Sequence, residues 1–364
     1  MSPTLHTEIC DLLGCRFPII QTGMGWVASP GLVAAVCEGG GFGFLAAATL
    51  APHAVEAEIS KVKALTDRPF GVNFLMDAPG ADVISDAIIR HGVRAAGYNR
   101  APDAALIRKL KDGGVVCVPT CGAVKHAVRA EKLGADIIVV QGSEGGGHTG
   151  PVPTSLLVPA CVDAVRVPIA AAGGYYDGRG LVAALAYGAK GIAMGTRFLM
   201  SAESPVPAST TERYLAASVE DVRVTREIDG LPQRVIENEL VRRLESSGGA
   251  LRLGFALQNA LAYRRLTGAT LKELLRSALS LRRSERLSRA QMLMAVNAPM
   301  LARTAMQDGD PVHGYLPSGS VAGVLADRPP CAEILSRIVA EAEQTLARLA
   351  RPTAQRGPAA AGAR

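Results

Sequence analysis

Aromatic residues make up only 4% of this 364-residue chain, and a single tryptophan is among them. Long apolar runs are missing too. Hydrophobic residues reach 48%, yet no stretch approaches the roughly 18 residues that suggest a membrane-spanning helix. The first residues, MSPTLHTEICDLLG, have neither a basic start nor an apolar stretch, so no secretory signal is read. The seven cysteines (10, 15, 37, 117, 121, 161 and 331) are odd in number, scattered, and form no CxxC pair. That pattern argues against a disulfide framework and suits reduced thiols in a cytoplasm. Cys117 and Cys121 lack the further ligands that zinc would need, so no metal is expected. Basic stretches without interleaved aromatics do not favour nucleic acid. A chain of this length can bury a large core, and one large domain plus a smaller module is the natural partition.

What is there is a repeating unit. Eight short apolar runs each lead into a small-residue turn and then a helix-like segment. They are FPIIQ from Phe17, FGFLAA from Phe42, PFGVNFL from Pro69, VRAAG from Val93, VVCVP from Val115, DIIVV from Asp136, PIAAA from Pro168 and GIAMG from Gly191. Between them lie segments of helical periodicity, such as 123–135 and 178–189. Strand and helix alternating at intervals of roughly 25 residues imply a parallel sheet, and eight units suit a closed (β/α)8 TIM barrel. Gly41 to Ala46 matches GxGxxA but runs into a strand instead of leaving one, so a dinucleotide-binding site is rejected.

Chemistry in a barrel belongs to the loops at the C-terminal strand ends. The most informative one follows ADIIVV: Gln141 to Gly150, QGSEGGGHTG, has no apolar side chain, and half of it is glycine. Three adjacent glycines let a backbone approach a flat or charged ligand, and His148 beyond them is of the residue type used most often for proton transfer. The bland alternative is a glycine turn with a satisfied histidine. Other strand ends carry QTGMGW with the lone tryptophan, Asn73, Thr120, Ala172-Gly173-Gly174 and Gly195-Thr196-Arg197, with Asp177 placed to cap a helix. The last two turns are where barrels commonly hold phosphate on backbone N–H groups. A phosphorylated cofactor is expected there, and flavin mononucleotide (FMN) suits it.

QTGMGWV (Gln21–Val27), RPFGVN (Arg68–Asn73), the GGGH loop, AAGGYYDGRG (Ala171–Gly180), MGTRF (Met194–Phe198) and SGSVAGVLADRPPC (Ser318–Cys331) occur in one order. Together they resemble the nitronate monooxygenase family, whose motifs the flavin-dependent enoyl-thioester reductases share. The resemblance implies an FMN barrel in which Gly23, Met24 and Gly25 line the flavin ring and Asn73 bonds its polar edge. It implies Gln141 and Gly146 beside the cofactor, with Ala172, Gly173, Gly174, Gly195 and Thr196 holding the phosphate. His148 matches the family's active-site histidine. Some members carry a lysine at the end of strand 5, where Thr120 stands here, so no cationic role carries over to that corner. Within the family, the branch acting on coenzyme A (CoA) thioesters of degraded steroid rings shares QTGMGWVA, EGGGHTGP and a long helical segment after the barrel.

That segment changes the pattern. From about Ser204 to His313 strand-like runs cease and arginine-rich amphipathic stretches take over. Arg252 to Arg286 holds eight basic residues against two glutamates, an excess equal to the whole chain's +6. A solvated face is one reading; contact with a polyanionic substrate such as CoA, through Arg264 and Arg265, is another. The expected partition is a barrel over 1–203, a helical arginine-rich cap over 204–312, a segment returning to the barrel over 313–350, and a disordered tail over 351–364. Two activities remain open: NAD(P)H-driven reduction of an unsaturated acyl-CoA, and oxidation of a nitronate by oxygen. A catalytically silent phosphate-binding barrel is the third reading, and a homodimer is compatible with all of them.

Overall fold

The computed structural model describes residues 5–99, 102–246 and 297–350, with Asn297 described by its backbone alone. Each of the eight apolar runs forms a strand. They are β1 (Ile19–Gln21), β2 (Phe42–Ala46), β3 (Gly71–Phe74), β4 (Ala95–Asn99), β5 (Val116–Cys121), β6 (Ile138–Gln141), β8 (Ile169–Ala172) and β9 (Gly191–Met194). All pair in parallel, and β9 returns to β1, so the sheet closes as a TIM barrel in chain order. Helices cover the outside, which explains why the strands read as continuous apolar runs and not as alternating ones.

Alternate strand residues still divide between two cores. Ile20, Phe42, Phe44, Val118, Val139 and Ala170 fill the barrel interior, while their neighbours Ile19, Leu45, Cys117 and Ile138 pack outward on the helices. The interior must match large residues to small ones. Phe42 and Phe44 meet edge to face with centroids 5.1 Å apart. A Cβ on Gly71, in the next strand, would lie 2.3 Å from the Phe44 ring, so that glycine makes room for the phenylalanine. Ile9 and Leu13 of the first helix (Glu8–Leu13) join the same core.

The C-terminal part closes over the barrel. Helix Cys331–Ala350 packs on helices Gly178–Ala186 and Pro30–Glu38. A Cβ on Gly178 would meet Ala342 N and Ile338 O at 2.4 Å, so the contact requires glycine. Asp177 caps its helix as expected, accepting from Gly180 N at 2.8 Å. Arg197 is spent on architecture: it donates to Asp327 Oδ1 at 2.8 Å and to the Met200 and Asp327 carbonyls.

One expectation is corrected. Strands do not cease after Ser204: β10 (Val222–Thr225) and β11 (Gln233–Ile236) pair antiparallel. Along the other edge of β11 lie β7 (Gly147–His148) and β12 (Leu316–Pro317). These strands are four residues or fewer and carry Arg223, Gln233 and Arg234, which hid their apolar members from the run-based reading. The sheet ties the histidine loop, the region after the barrel and the returning segment together.

Candidate active site

A cavity of about 1860 Å³ opens at the C-terminal ends of the barrel strands. Gly23, Met24, Gly25, Asn73, Gln141, Gly146, Ala172, Gly173, Gly174, Gly195, Thr196 and His148 all line it. The fold therefore brings into one place residues spread from Gly23 to Thr196. Arg264 and Arg265 lie outside the described residues.

The glycines do different jobs. Gly173 and Gly174 both have left-handed backbone, at φ +98° and +83°, a turn that other residues adopt only with strain. A Cβ on Gly173 would sit 2.9 Å from Thr154 Oγ1. A Cβ on Gly23 would strike Asn73 Cβ at 2.3 Å, so Gly23 lets loop 1 lie against Asn73. Gly146 serves the returning segment: its Cβ would fall 2.5 Å from Gly319 N and 2.6 Å from the Ser318 carbonyl carbon. Gln141 donates to the His148 carbonyl at 2.8 Å and so fastens both ends of the glycine loop. Thr196 Oγ1 accepts from Gly319 N at 3.0 Å and keeps its own proton for another acceptor.

A mononucleotide flavin suits this set. The Gly174, Gly195 and Thr196 amide N–H groups have no acceptor among the described residues, and they sit together after β8 and β9. Such orphan donors suit a phosphate. The Asn73 carboxamide faces the cavity without a partner among the described residues, as a ring edge rich in hydrogen-bonding atoms would require. The thiols of Cys117 and Cys121 are pushed up to about 12 by burial, so neither is a nucleophile near neutrality.

His148 is not an isolated loop residue. It forms β7 with Gly147 and lies opposite Gln233 of β11. Its Nε2 is 2.7 Å from Oδ2 of Asp229, whose side chain is only 3% exposed. Asp229 also accepts from Gln233 Nε2 at 2.8 Å and from Leu231 N at 3.1 Å. Burial alone would raise the Asp229 carboxyl; the bond and charge of His148, with the bonds from Gln233 and Leu231, outweigh it and hold it below the usual range. A fixed carboxylate on Nε2 keeps the proton of a neutral imidazole there. Nδ1 makes no hydrogen bond among the described residues and is left able to take a proton.

Sequence reasoning missed Asp229, Gln233 and Arg234, whose Nε donates to the Ser143 carbonyl at 2.9 Å and steadies the loop. Asp229-Gly230 reads as a turn dipeptide, and a turn carboxylate has no local signal for a partner 81 positions away. A further wall was also unseen. Pro299, Ala302 and Tyr315 line the cavity as well, with Trp26 of loop 1 packed beside them. Trp26 Nε1 donates to the Pro299 carbonyl at 2.7 Å, the Arg303 guanidinium sits 5.7 Å over the ring, and the Trp26 backbone is left-handed at φ +66°.

Comparison with known proteins agrees with the geometry. The nitronate monooxygenase family model matches residues 6–99 and 85–341. A protein of Rhodococcus jostii named (3aS,4S,5R,7aS)-5-hydroxy-7a-methyl-1-oxo-octahydro-1H-indene-4-carboxyl-CoA dehydrogenase is 48% identical over 339 residues, 93% of this chain and 96% of its own. A probable nitronate monooxygenase of Staphylococcus saprophyticus is 33% identical over 66% of this chain and 81% of its own. Among solved structures, FabK from Thermotoga maritima superposes with a TM-score of 0.76 at 31% identity, covering 94% of this chain and 98% of its own.

Proposed function

From the premise that the chain belongs to the nitronate monooxygenase family and is a flavin-dependent oxidoreductase, we propose that it acts on an acyl-CoA thioester of a fused-ring acid, with FMN as the flavin. The observation that carries the substrate is the 48% identity, along nearly the whole of both chains, with a carboxyl-CoA dehydrogenase of a bicyclic acid. Cavity size supports it. Typical ligand pockets span about 300–1000 Å³. A cavity near 1860 Å³ has room for a flavin and a bulky thioester, whereas a small nitronate would leave most of it to water.

Interconverting saturated and unsaturated acyl groups moves one hydride and one proton. A bound flavin supplies the two-electron centre. His148 handles the proton: Nδ1 takes it from, or returns it to, the carbon beside the thioester carbonyl. Asp229 is a positioning residue that fixes the tautomer and steadies the imidazolium. The apolar wall of Trp26, Pro299 and Ala302 suits a ring system and excludes water from its face. In the reductive direction NAD(P)H would serve as the transient donor.

The test is direct. Purified protein is assayed for nicotinamide oxidation with and without unsaturated acyl-CoA, for flavin reduction by saturated acyl-CoA, and for oxygen uptake with a nitronate. Thioester-dependent electron transfer supports the reading, and nitronate-dependent oxygen uptake alone overturns it.

A further inference from the structure

We propose that Lys125 and Arg129, on the helix after β5, anchor the phosphates of the CoA tail at the mouth of the cavity. This assignment rests on the acyl-CoA reading above and names the residues that meet the charged end of that substrate.

Helix Val124–Lys132 follows Thr120 and Gly122, and exposed Lys125, His126 and Arg129 line the same cavity as His148. Lys125 and Arg129 are one helical turn apart, so their side chains leave the same face about 6 Å apart at Cβ. Neither has an ion pair or hydrogen bond among the described residues. Lys61, Lys109, Lys111 and Lys190 each pair with a carboxylate and Lys63 donates to the His91 carbonyl, whereas Lys132, at the end of the same helix, is exposed with no partner among the described residues and does not line the cavity.

The carboxylates lining the cavity do not supply the missing countercharge. Glu144 accepts from Thr154 N and Oγ1, Asp103 caps the helix Ala104–Asp112, and Asp229 is held by His148. Asp77, the remaining one, is engaged as well. The sole acid of the Lys125 helix, Glu131, accepts from the Arg166 and Val167 N–H groups. Two cations therefore face a large cavity with no anion assigned to them. Charges left so are usually a solvated face; here they border the chamber that holds the proposed proton-transfer residue.

Chemistry selects the anion. CoA carries three phosphates on a tail that, extended, places them roughly 15–20 Å from the thioester. A planar guanidinium grips phosphate oxygens in a bidentate way, and an ammonium adds a compact charge. The resemblance gave no cation to the end of β5; the structure brings two from the following helix to line the cavity beside Thr120. A phosphorylated adenosine is shared by CoA and NADPH, so the test separates them.

Coenzyme A, NADPH and pantetheine are titrated calorimetrically into flavin-loaded wild type and Lys125→Glu/Arg129→Glu. Flavin absorbance and melting temperature serve as fold controls, and Lys125→Ala/Arg129→Ala stands in if the reversal misfolds. The expected result is a Kd for CoA weakened at least about 10-fold, with pantetheine unchanged. Unchanged CoA binding, an equal loss for pantetheine, or a loss confined to NADPH overturns the anchor while leaving the acyl-CoA reading standing. Wild type that binds CoA no better than pantetheine overturns the acyl-CoA reading itself, and the anchor with it.

Discussion

His148 Nε2 and Asp229 Oδ2 stand 2.7 Å apart across the pairing of β7 with β11, although 81 positions separate them in the chain. The carboxylate is buried and the imidazole is 42% exposed, so the pair has one end fixed in protein and one end in the cavity. Losing His148 should remove the proton-transfer group. Losing Asp229 should leave the ring but release its tautomer and orientation. His148→Ala should retain flavin and fold and lose about 10²-fold or more in turnover. Asp229→Asn should lose about 10- to 100-fold in kcat with KM for acyl-CoA little changed, the scale seen when a carboxylate partner of a functional histidine is removed. The double variant should be no slower than His148→Ala. Additive losses would show that Asp229 acts independently of the ring.

The same carboxylate makes a prediction about acid stability. Its folded-state pKa is depressed, so its stabilising contribution is present above the ordinary carboxylate range and is lost as pH falls through the folded value. Asp229→Asn should lower stability by about 1.5–3 kcal/mol near pH 7, the range for hydrogen bonds to charged groups. The gap between the two proteins should close below about pH 4. Denaturant titrations at both pH values check this; a gap that widens in acid contradicts it.

Flavin retention tests the turn after β8. Gly174→Asp puts a carboxylate beside the proposed phosphate position and near the Glu144 side chain, 3.6 Å from the new Cβ. Folded but colourless protein, without the absorbance band near about 450 nm, is the expected result. Gly174→Ala separates strain from charge: it bears the left-handed φ penalty of about 1 kcal/mol yet should still bind flavin. Full flavin occupancy in Gly174→Asp would remove the phosphate from this turn.

Much of this was legible because parallel barrels write themselves plainly. The strand from Ile138 and that from Ile169 are buried on both faces, so their apolar runs stood out whatever surrounded them. The glycine turn at Gly173-Gly174 was legible for a backbone reason, its left-handed φ. Gly146 lines the cavity and also packs against the returning segment, and Gly178 packs against the last helix; these are tertiary contacts with no local mark in the sequence. β11 escaped because four residues carrying Gln233 and Arg234 have too little apolar content to read as a strand. Asp229 escaped for the same kind of reason, since its role exists only once β7 and β11 pair.

Trp26 reports on the acyl group. Its indole closes one wall of the cavity and is pinned by the Pro299 carbonyl, while its backbone stays in the left-handed region. Trp26→Gly relieves that backbone strain, of about 1–2 kcal/mol, but removes the wall. The lost indole packing and the bond to Pro299 outweigh that relief, so stability should fall, while KM for a fused-ring acyl-CoA rises and that for a short linear acyl-CoA does not. Equal effects on both substrates would place the ring system elsewhere.

The central claim is that this barrel exchanges electrons with an acyl-CoA and not chiefly with a nitronate. It is tested most directly by comparing kcat/KM for an octahydroindene-carboxyl-CoA, followed by flavin bleaching at about 450 nm without oxygen, against kcat/KM for propane-2-nitronate, followed by oxygen uptake. The account predicts the thioester to be preferred by at least about 10²-fold, some 2.7 kcal/mol of transition-state discrimination. Efficient oxygen uptake with the nitronate, alongside a flavin band that the thioester leaves unchanged, would contradict it.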